Sequence, residues 1–363
     1  MLDKSRLFLL LMAIAFVAFG MFGGEHAGAQ QAPQKMLPAP TATPPIEEEE
    51  EVVKVETESV NVLFTAQDKN RKLLLNLKRD DIRVLENGQP QTIVSFSRQI
   101  DLPLSLAILI DTSISQSRTL PEEKAAAISF LESVIRPNKD EVSVISFTGE
   151  STLEQGMTNN LNRLRRAIER VEFVPPSGYI GGGVVVNGGS VPGTPPISGT
   201  NQQIAGSTAI WDSIWITSTD VLGPAPEKTR RAVILLSDGY DTSSKKKLDE
   251  AVQAAQRAEA VIYSIGIGDN FYDGVDEGSL KKISERTGGR AYFPRDENEL
   301  RLAFRQIQDE MRSQYLIAYE PSNRALDGTY RRIELQIANP ALEKEKVRLT
   351  HRQGYFAKAE KKK

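Results

Sequence analysis

The chain has no cysteine and only two histidines, His26 and His351. Disulfides, thiolate metal sites and cysteine nucleophiles are thereby excluded. A histidine-cluster zinc site, or a serine hydrolase with a histidine base, has too few residues to be built from. A charge excess is missing too: 45 Lys and Arg against 48 Asp and Glu leave a formal net charge of −3. General nucleic-acid binding, which needs a basic face, is not expected. Finally, only one long apolar run exists, at residues 7–22, and no second segment follows that would span a bilayer.

That single run carries an address. Lys4 and Arg6 precede it and Ala27-Gly28-Ala29 follows, the layout of a secretory signal peptide over residues 1–29. The expected mature protein starts near Gln30 and is secreted or held in the periplasm or cell envelope. A retained signal anchor is the alternative. With no cysteine at the cleavage site, bacterial lipoprotein anchoring is excluded. Residues 30–51 read as a linker, stiffened by Pro33, Pro38, Pro40, Pro44 and Pro45 and solvated by the glutamates at 47–51.

The remaining chain is long enough for two domains, with an ordinary globular balance of 40% hydrophobic and 26% charged residues. Its organising stretch is an unbroken apolar run through Leu106, Ala107, Ile108, Leu109 and Ile110, ended by small polar residues. Such a run reads as a strand buried on both faces of a parallel sheet. From there to residue 313, strand patterns at 141–147, 232–236, 261–267 and 290–293 alternate with helical ones at 121–135, 161–171, 207–222, 248–260, 278–286 and 297–312. The expectation for 103–313 is an α/β fold: a doubly wound, Rossmann-like, mostly parallel sheet flanked by helices. Residues 52–102 and 314–357 read as β, with an Asn87-Gly88 hairpin signal in the first and an Asp327-Gly328 turn in the second. Each is too small to bury a core alone, so the two are expected to form one β-sandwich with the α/β domain inserted between them. A Gly-, Pro- and Ser-rich insert occupies 175–206 and a basic tail 358–363.

Asp111, Ser113 and Ser115 stand at the carboxyl end of the organising strand, where open α/β sheets bind ligands. Thr208 begins a predicted helix, and Asp238 in Ser237-Asp238-Gly239 follows the strand at 232–236. On this topology all five reach one edge of the sheet. Two carboxylates and three hydroxyls make a hard, oxygen-only donor set suited to Mg²⁺ or Ca²⁺. Asp212 and Asp241 read as helix-surface and turn residues, and Asp269, Asp273 and Asp276 as members of a solvated loop whose spacing does not match a calcium loop.

Asp-x-Ser-x-Ser, a distant Thr and then an Asp in Ser-Asp-Gly resemble the metal-ion-dependent adhesion site of von Willebrand factor A domains, and the β flanks resemble an exported bacterial subgroup. The resemblance implies Mg²⁺, with Ca²⁺ or Mn²⁺ as alternatives, held by Ser113, Ser115 and Thr208, with Asp111 and Asp238 bonded directly or through water. It also implies an open position that receives an Asp or Glu carboxylate from a protein partner, in an adhesion-type module and not an enzyme. Two other functions are weighed. One is a scaffold subunit of an envelope complex with a mainly structural metal. The other is a phosphotransfer hydrolase using Asp111, which would need a second Asp where Ser113 stands. Two further expectations follow from the sequence: that Asp111 lies at a surface edge of the sheet, and that the two carboxylates balance the charge of one divalent ion.

Overall fold

A computed structural model describes residues 59–98, 102–173, 179–180, 184–185, 207–226, 228–268 and 274–359. The signal peptide, the linker, most of the 175–206 insert, Asp269, Asp273 and the end of the tail lie outside them. The described residues all fall in one unit, Glu56–Lys363.

The first β segment supplies β1 (Val60–Gln67), β2 (Ile82–Glu86) and β3 (Gln89–Arg98), the last two joined at Asn87-Gly88. Both turn residues have positive φ, 49° and 82°, the geometry of a type I′ hairpin that matches strand twist. The chain then enters the α/β layer through β4 (Leu104–Asp111), α1 (Leu120–Val134), β5 (Glu141–Phe147), β6 (Ser151–Thr158), α2 (Leu161–Arg170) and the two-residue strands β7 (Tyr179–Ile180) and β8 (Val184–Val185). It continues with α3 (Ile210–Ile216), which runs into a π-helical turn at Thr217–Leu222, then β9 (Arg230–Ser237), α4 (Leu248–Arg257) and β10 (Ala260–Gly266). α5 (Glu277–Thr287), β11 (Ala291–Tyr292) and α6 (Glu297–Arg312) complete the layer.

The sheet order β11-β10-β9-β4-β5-β6 is parallel except for β6, which returns antiparallel along β5. β4 is central and buried along its whole length. Leu106, Ile108 and Ile110 join one cluster with Phe130 and Leu131 of α1 and Phe304 and Ile307 of α6. Ala107 and Leu109 join the other, with Ile214 of α3, Val252 of α4 and Ile283 of α5. Each fully buried large side chain of this strand contributes roughly 1.5–3 kcal/mol, so β4 anchors both faces of the layer. β6 had no strand signal. Its sequence STLEQGMT is polar and half-exposed because it is an edge, paired on one side only.

The second β segment adds β12 (Tyr315–Glu320), β13 (Tyr330–Ile337), a short α7 (Pro340–Lys344), β14 (Arg348–His351) and β15 (Gly354–Phe356). The two segments interleave in one seven-stranded antiparallel sheet, β14-β1-β12-β3-β2-β13-β15. Its two edge strands, β14 and β15, are consecutive in the chain, so the sheet has to curl until its edges approach. Leu335 N in β13 accordingly donates to His351 Nε2 in β14 at 3.3 Å. Facing layers of the expected sandwich are therefore made by one sheet folded on itself, around Val62, Phe64, Val84, Ile317, Tyr319 and Ile333. Phe64 stacks on Tyr315 across the two segments, ring centroids 5.2 Å apart.

Both partners of β1 come from the second segment, and β12 separates β1 from β3. Deleting residues 314–357 therefore leaves β1 with no strand to pair with and exposes its buried face. We expect limited proteolysis of that truncated chain to cut within residues 60–98 under conditions where the full chain resists. Equal resistance would show that the first segment folds alone.

Candidate metal centre

Asp111 is the last residue of β4 and Ser237 the last of the neighbouring β9. Their side chains meet: Ser237 Oγ donates to Asp111 Oδ2 at 2.7 Å, while Ser113 N donates to Oδ1 at 2.9 Å. The second bond folds the chain back after the strand and sets Ser113 Oγ 3.1 Å from Ser115 Oγ. Thr112 is held apart from the group, its N–H bonded to Phe147 O on the other neighbour, β5, at 2.9 Å. Alternation of Asp-x-Ser-x-Ser thus has a physical basis: odd positions turn to one cluster and the intervening Thr112 secures the loop.

Asp238 comes to the same cluster from β9. Tyr240 N donates to its Oδ1 at 3.0 Å, and the Ser115 and Gln116 side chains favour its ionised form. Gly239 makes the sharp exit possible. Its φ is +88°, and a Cβ there would stand 2.9 Å from Asp276 O. Asp276, expected in a solvated loop, instead caps α5 by accepting from Ser279 N at 3.1 Å.

Thr208 is buried just before α3 and is fastened to the loop that follows Asp238. Its N–H donates to Thr242 Oγ1 at 2.8 Å, and its carbonyl accepts from Thr242 N and Ser243 N. Asp241 and Asp212 are the two clasps of this joint. Asp241 Oδ1 accepts from Ile210 N at 2.8 Å, and Asp212 accepts from Lys245 N and Lys246 N at 2.9 and 2.7 Å. They are not merely surface and turn residues. They fix the third segment of the site against the second, which sequence spacing does not reveal because the bonds span about thirty positions.

Burial defines the electrostatics. Asp111 is fully buried, not at a surface edge; the strand end is roofed by the Ser113–Gln116 turn and by Ser237. Burial, with Asp238 adding repulsion, pushes the Asp111 carboxyl up to about 7 against the bonds from Ser113 and Ser237. Burial raises Asp238 as well. A third carboxylate joins them: Glu123 in the first turn of α1 is fully buried. Burial pushes it up to about 8, with Asp111 and Asp238 adding. Thr119 opposes this, yet its hydroxyl donates to Gln116, and both Glu123 oxygens lack a hydrogen bond. In the sequence Glu123 looks like an ordinary first-turn acid favoured by the helix dipole. Its only signal is that it lies between Leu120 and Ala127 on the inward face of α1. Three acids, and not two, therefore share this edge, and burial favours the protonated form of Glu123.

No ion pair among the described residues involves Asp111, Asp238 or Glu123. Converging buried carboxylates without a counter-charge, beside two serine hydroxyls, fit a small hard cation. The donor set is mixed, and among the described residues no group of three or more His, Asp or Glu is arranged as a metal cluster by itself.

Two family models, both described as von Willebrand factor type A domain, match residues 106–186 and 197–309. The chain belongs to the von Willebrand factor type A domain family. Both matches fall within the α/β layer and the insert, and Asp111, Ser113 and Ser115 lie in the first, Thr208 and Asp238 in the second. Solved structures with a similar fold include proximal thread matrix protein 1 from the mussel byssus, at 16% identity and TM-score 0.45 over 62% of this chain and 51% of that one. The chain thus spans about half the length of the mussel protein. A von Willebrand factor type A protein from Catenulispora acidiphila is 13% identical, TM-score 0.44, over 84% and 75% of the two chains. Protein BatB from Bacteroides thetaiotaomicron is 15% identical, TM-score 0.38, over 58% and 98%. One form of the mussel protein is described with a zinc-occupied adhesion-site motif. No curated protein matches the chain.

Proposed function

We propose that this chain is an exported, divalent-metal-dependent protein-interaction module rather than an enzyme. Asp111, Ser113, Ser115, Thr208 and Asp238 would hold Mg²⁺, and the ion, when bound, supplies a Lewis-acidic position for an Asp or Glu carboxylate of a protein partner. The observation that carries this reading is the pair of buried carboxylates, Asp111 and Asp238, close enough to repel each other, with the Ser113 and Ser115 hydroxyls beside them and no ion pair to either among the described residues. The protein's part is to hold the oxygens in place: Ser113 N and Ser237 Oγ orient Asp111, and the Asp241 and Asp212 clasps keep Thr208 within reach of the same edge. A carboxylate ligand suits a cation only partly neutralised by its own site, since charge-assisted contacts are stronger than neutral ones. Export rests on the residue 1–29 pattern; no helix among the described residues is long and apolar enough to cross a membrane.

A second reading, a structural metal in an envelope scaffold, draws support from burial: Asp111, Ser113, Thr208 and Asp238 are each 5% exposed or less. One experiment separates the two. Immobilised full chain is offered envelope extract with Mg²⁺ and with chelator, and its unfolding is followed in parallel. An interaction module releases a specific partner in chelator while remaining folded. A scaffold with a structural ion keeps its partners until it unfolds.

A further inference from the structure

A cavity of about 270 Å³ lies at the opposite end of the parallel strands, where the curled sheet meets the α/β layer. Its walls include Arg230 and Ala260, the first residues of β9 and β10, whereas the carboxylate cluster stands at the strand ends. Seven or eight residues at about 3.3 Å each separate the two places. The floor is apolar. Leu63 and Leu316 are directly paired across β1 and β12 on the outer face of the curled sheet, and Leu102 and Val261 face them from the α/β side.

Three buried side chains on this wall have polar atoms without a hydrogen bond: Arg230 Nε, Arg352 Nε and Gln256 Oε1. Each residue is less than a tenth exposed. Arg230 is the strongest of them. Its guanidinium is held by Met311 O, Leu102 O and Gln314 Oε1, all neutral acceptors, at 2.5–3.4 Å. Asp140, the carboxylate that acts on it from further away, is committed to Arg136 at 2.7 Å. A buried guanidinium with no counter-ion is costly unless something anionic completes it. Lys228 adds an exposed cation to the rim, and among the described residues no carboxylate pairs with it. The one carboxylate of the wall, Glu259, is taken by Arg352 at 3.1 Å. Glu259 holds that place at φ 53°, a left-handed conformation that favours glycine. Cation exceeds anion around an apolar floor, and Gln256 Oε1 asks for a donor.

We infer that this cavity binds a carboxylate that carries an apolar body and an adjacent N–H or O–H donor: the chemistry of an apolar amino acid or of an apolar peptide C-terminus. The carboxylate meets Arg230 and Lys228, the donor meets Gln256, and the apolar group rests on Leu63 and Leu316. At about 270 Å³ the space falls just below the ~300 Å³ lower end of ordinary ligand pockets, the size for one residue and not for a nucleotide. Arg230 also binds carbonyls at both places where the chain crosses between sheet and layer, Leu102 and Met311, so occupancy completes the pin of this joint.

The test is calorimetric titration of the full chain in chelator, which keeps it independent of the metal reading. The probe is N-acetyl-L-leucine, compared with N-acetyl-L-leucinamide and inorganic sulfate. The acid is expected to bind saturably at one site, with the amide and sulfate each weaker by about tenfold or more. Lys228→Glu, at an exposed position that leaves the core intact, is expected to weaken the acid by about tenfold. Leu63→Phe, which fills the floor, is expected to abolish the heat. Free leucine and acetyl-Ala-Ala-Leu distinguish the sources: tighter binding of the tripeptide assigns a peptide C-terminus, tighter binding of leucine the free amino acid. Equal affinity for acid and amide, unchanged affinity in Lys228→Glu, or no saturable heat with any probe overturns the assignment.

Discussion

Asp111→Asn is expected to abolish Mg²⁺ binding while raising the melting temperature of the metal-free protein at neutral pH. The two effects have opposite signs because the carboxylate has two relations to its surroundings. Toward a cation it is one of two charged donors, and even loss of a residue that only orients a ligand costs about 10–100-fold in affinity; losing the ligand charge should cost about 100-fold or more. Toward the folded chain it is a fully buried acid pushed up to about 7 by burial and by Asp238, so its ionised form opposes folding wherever no metal is present. Asparagine keeps the acceptor for Ser113 N and places an amide where Ser237 Oγ can take up its hydrogen bond, so both contacts survive. Alanine would be a poor probe, because it strands both groups in a buried place. Calorimetric titration of Mg²⁺ and thermal melts in chelator and in Mg²⁺ read both effects. At a concentration 100 times its Kd the ion should stabilise wild type by about 2.7 kcal/mol and the variant not at all. Equal Mg²⁺ affinity in the two proteins would overturn the adhesion-type site.

What could be read from the sequence was what local chemistry determines. β4 was legible because burial on both faces demands an unbroken apolar run, and the Asn87-Gly88 hairpin because only a few residues tolerate two successive positive φ angles. Ser113, Ser115 and Asp238 were legible as a motif, and the structure brings them near Asp111, while it fastens Thr208 to the loop after Asp238. What stayed hidden depends on partners far along the chain. β6 is a strand only because β5 offers its edge. The order of the curled sheet follows from β1 choosing β12 and β14 over its own neighbours, which no alternation of apolar residues encodes. Asp241 and Glu123 have ordinary local surroundings in the sequence; one clasps α3 and the other sits beneath the site, each because of tertiary packing.

Glu123→Gln is expected to remove about half of the pH dependence of stability that the buried acids Glu123 and Asp111 give the metal-free protein. The wild-type carboxyl has an ordinary value of 4.5 and is pushed up to about 8 in the folded chain, chiefly by burial. Between those limits the folded protein keeps a proton that the unfolded chain has released, so stability falls as pH rises. The loss accumulates at ~1.4 kcal/mol per pH unit, and Asp111, ordinarily 3.8 and here about 7, steepens the acidic part of the same window. Glutamine is neutral throughout and has the shape of the protonated acid. At pH 5, where Glu123 holds its proton, variant and wild type should melt alike; at pH 9 the variant should be more stable by on the order of 3 kcal/mol. Mg²⁺ should flatten the wild-type curve from the other side, since a cation beside Asp111 and Asp238 favours the ionised forms that burial disfavours. Denaturant unfolding from pH 5 to 9, with and without chelator, gives four curves. Parallel curves for variant and wild type in chelator would mean that Glu123 ionises in the folded chain as it does in the unfolded one, and would overturn the reading that burial makes it keep its proton.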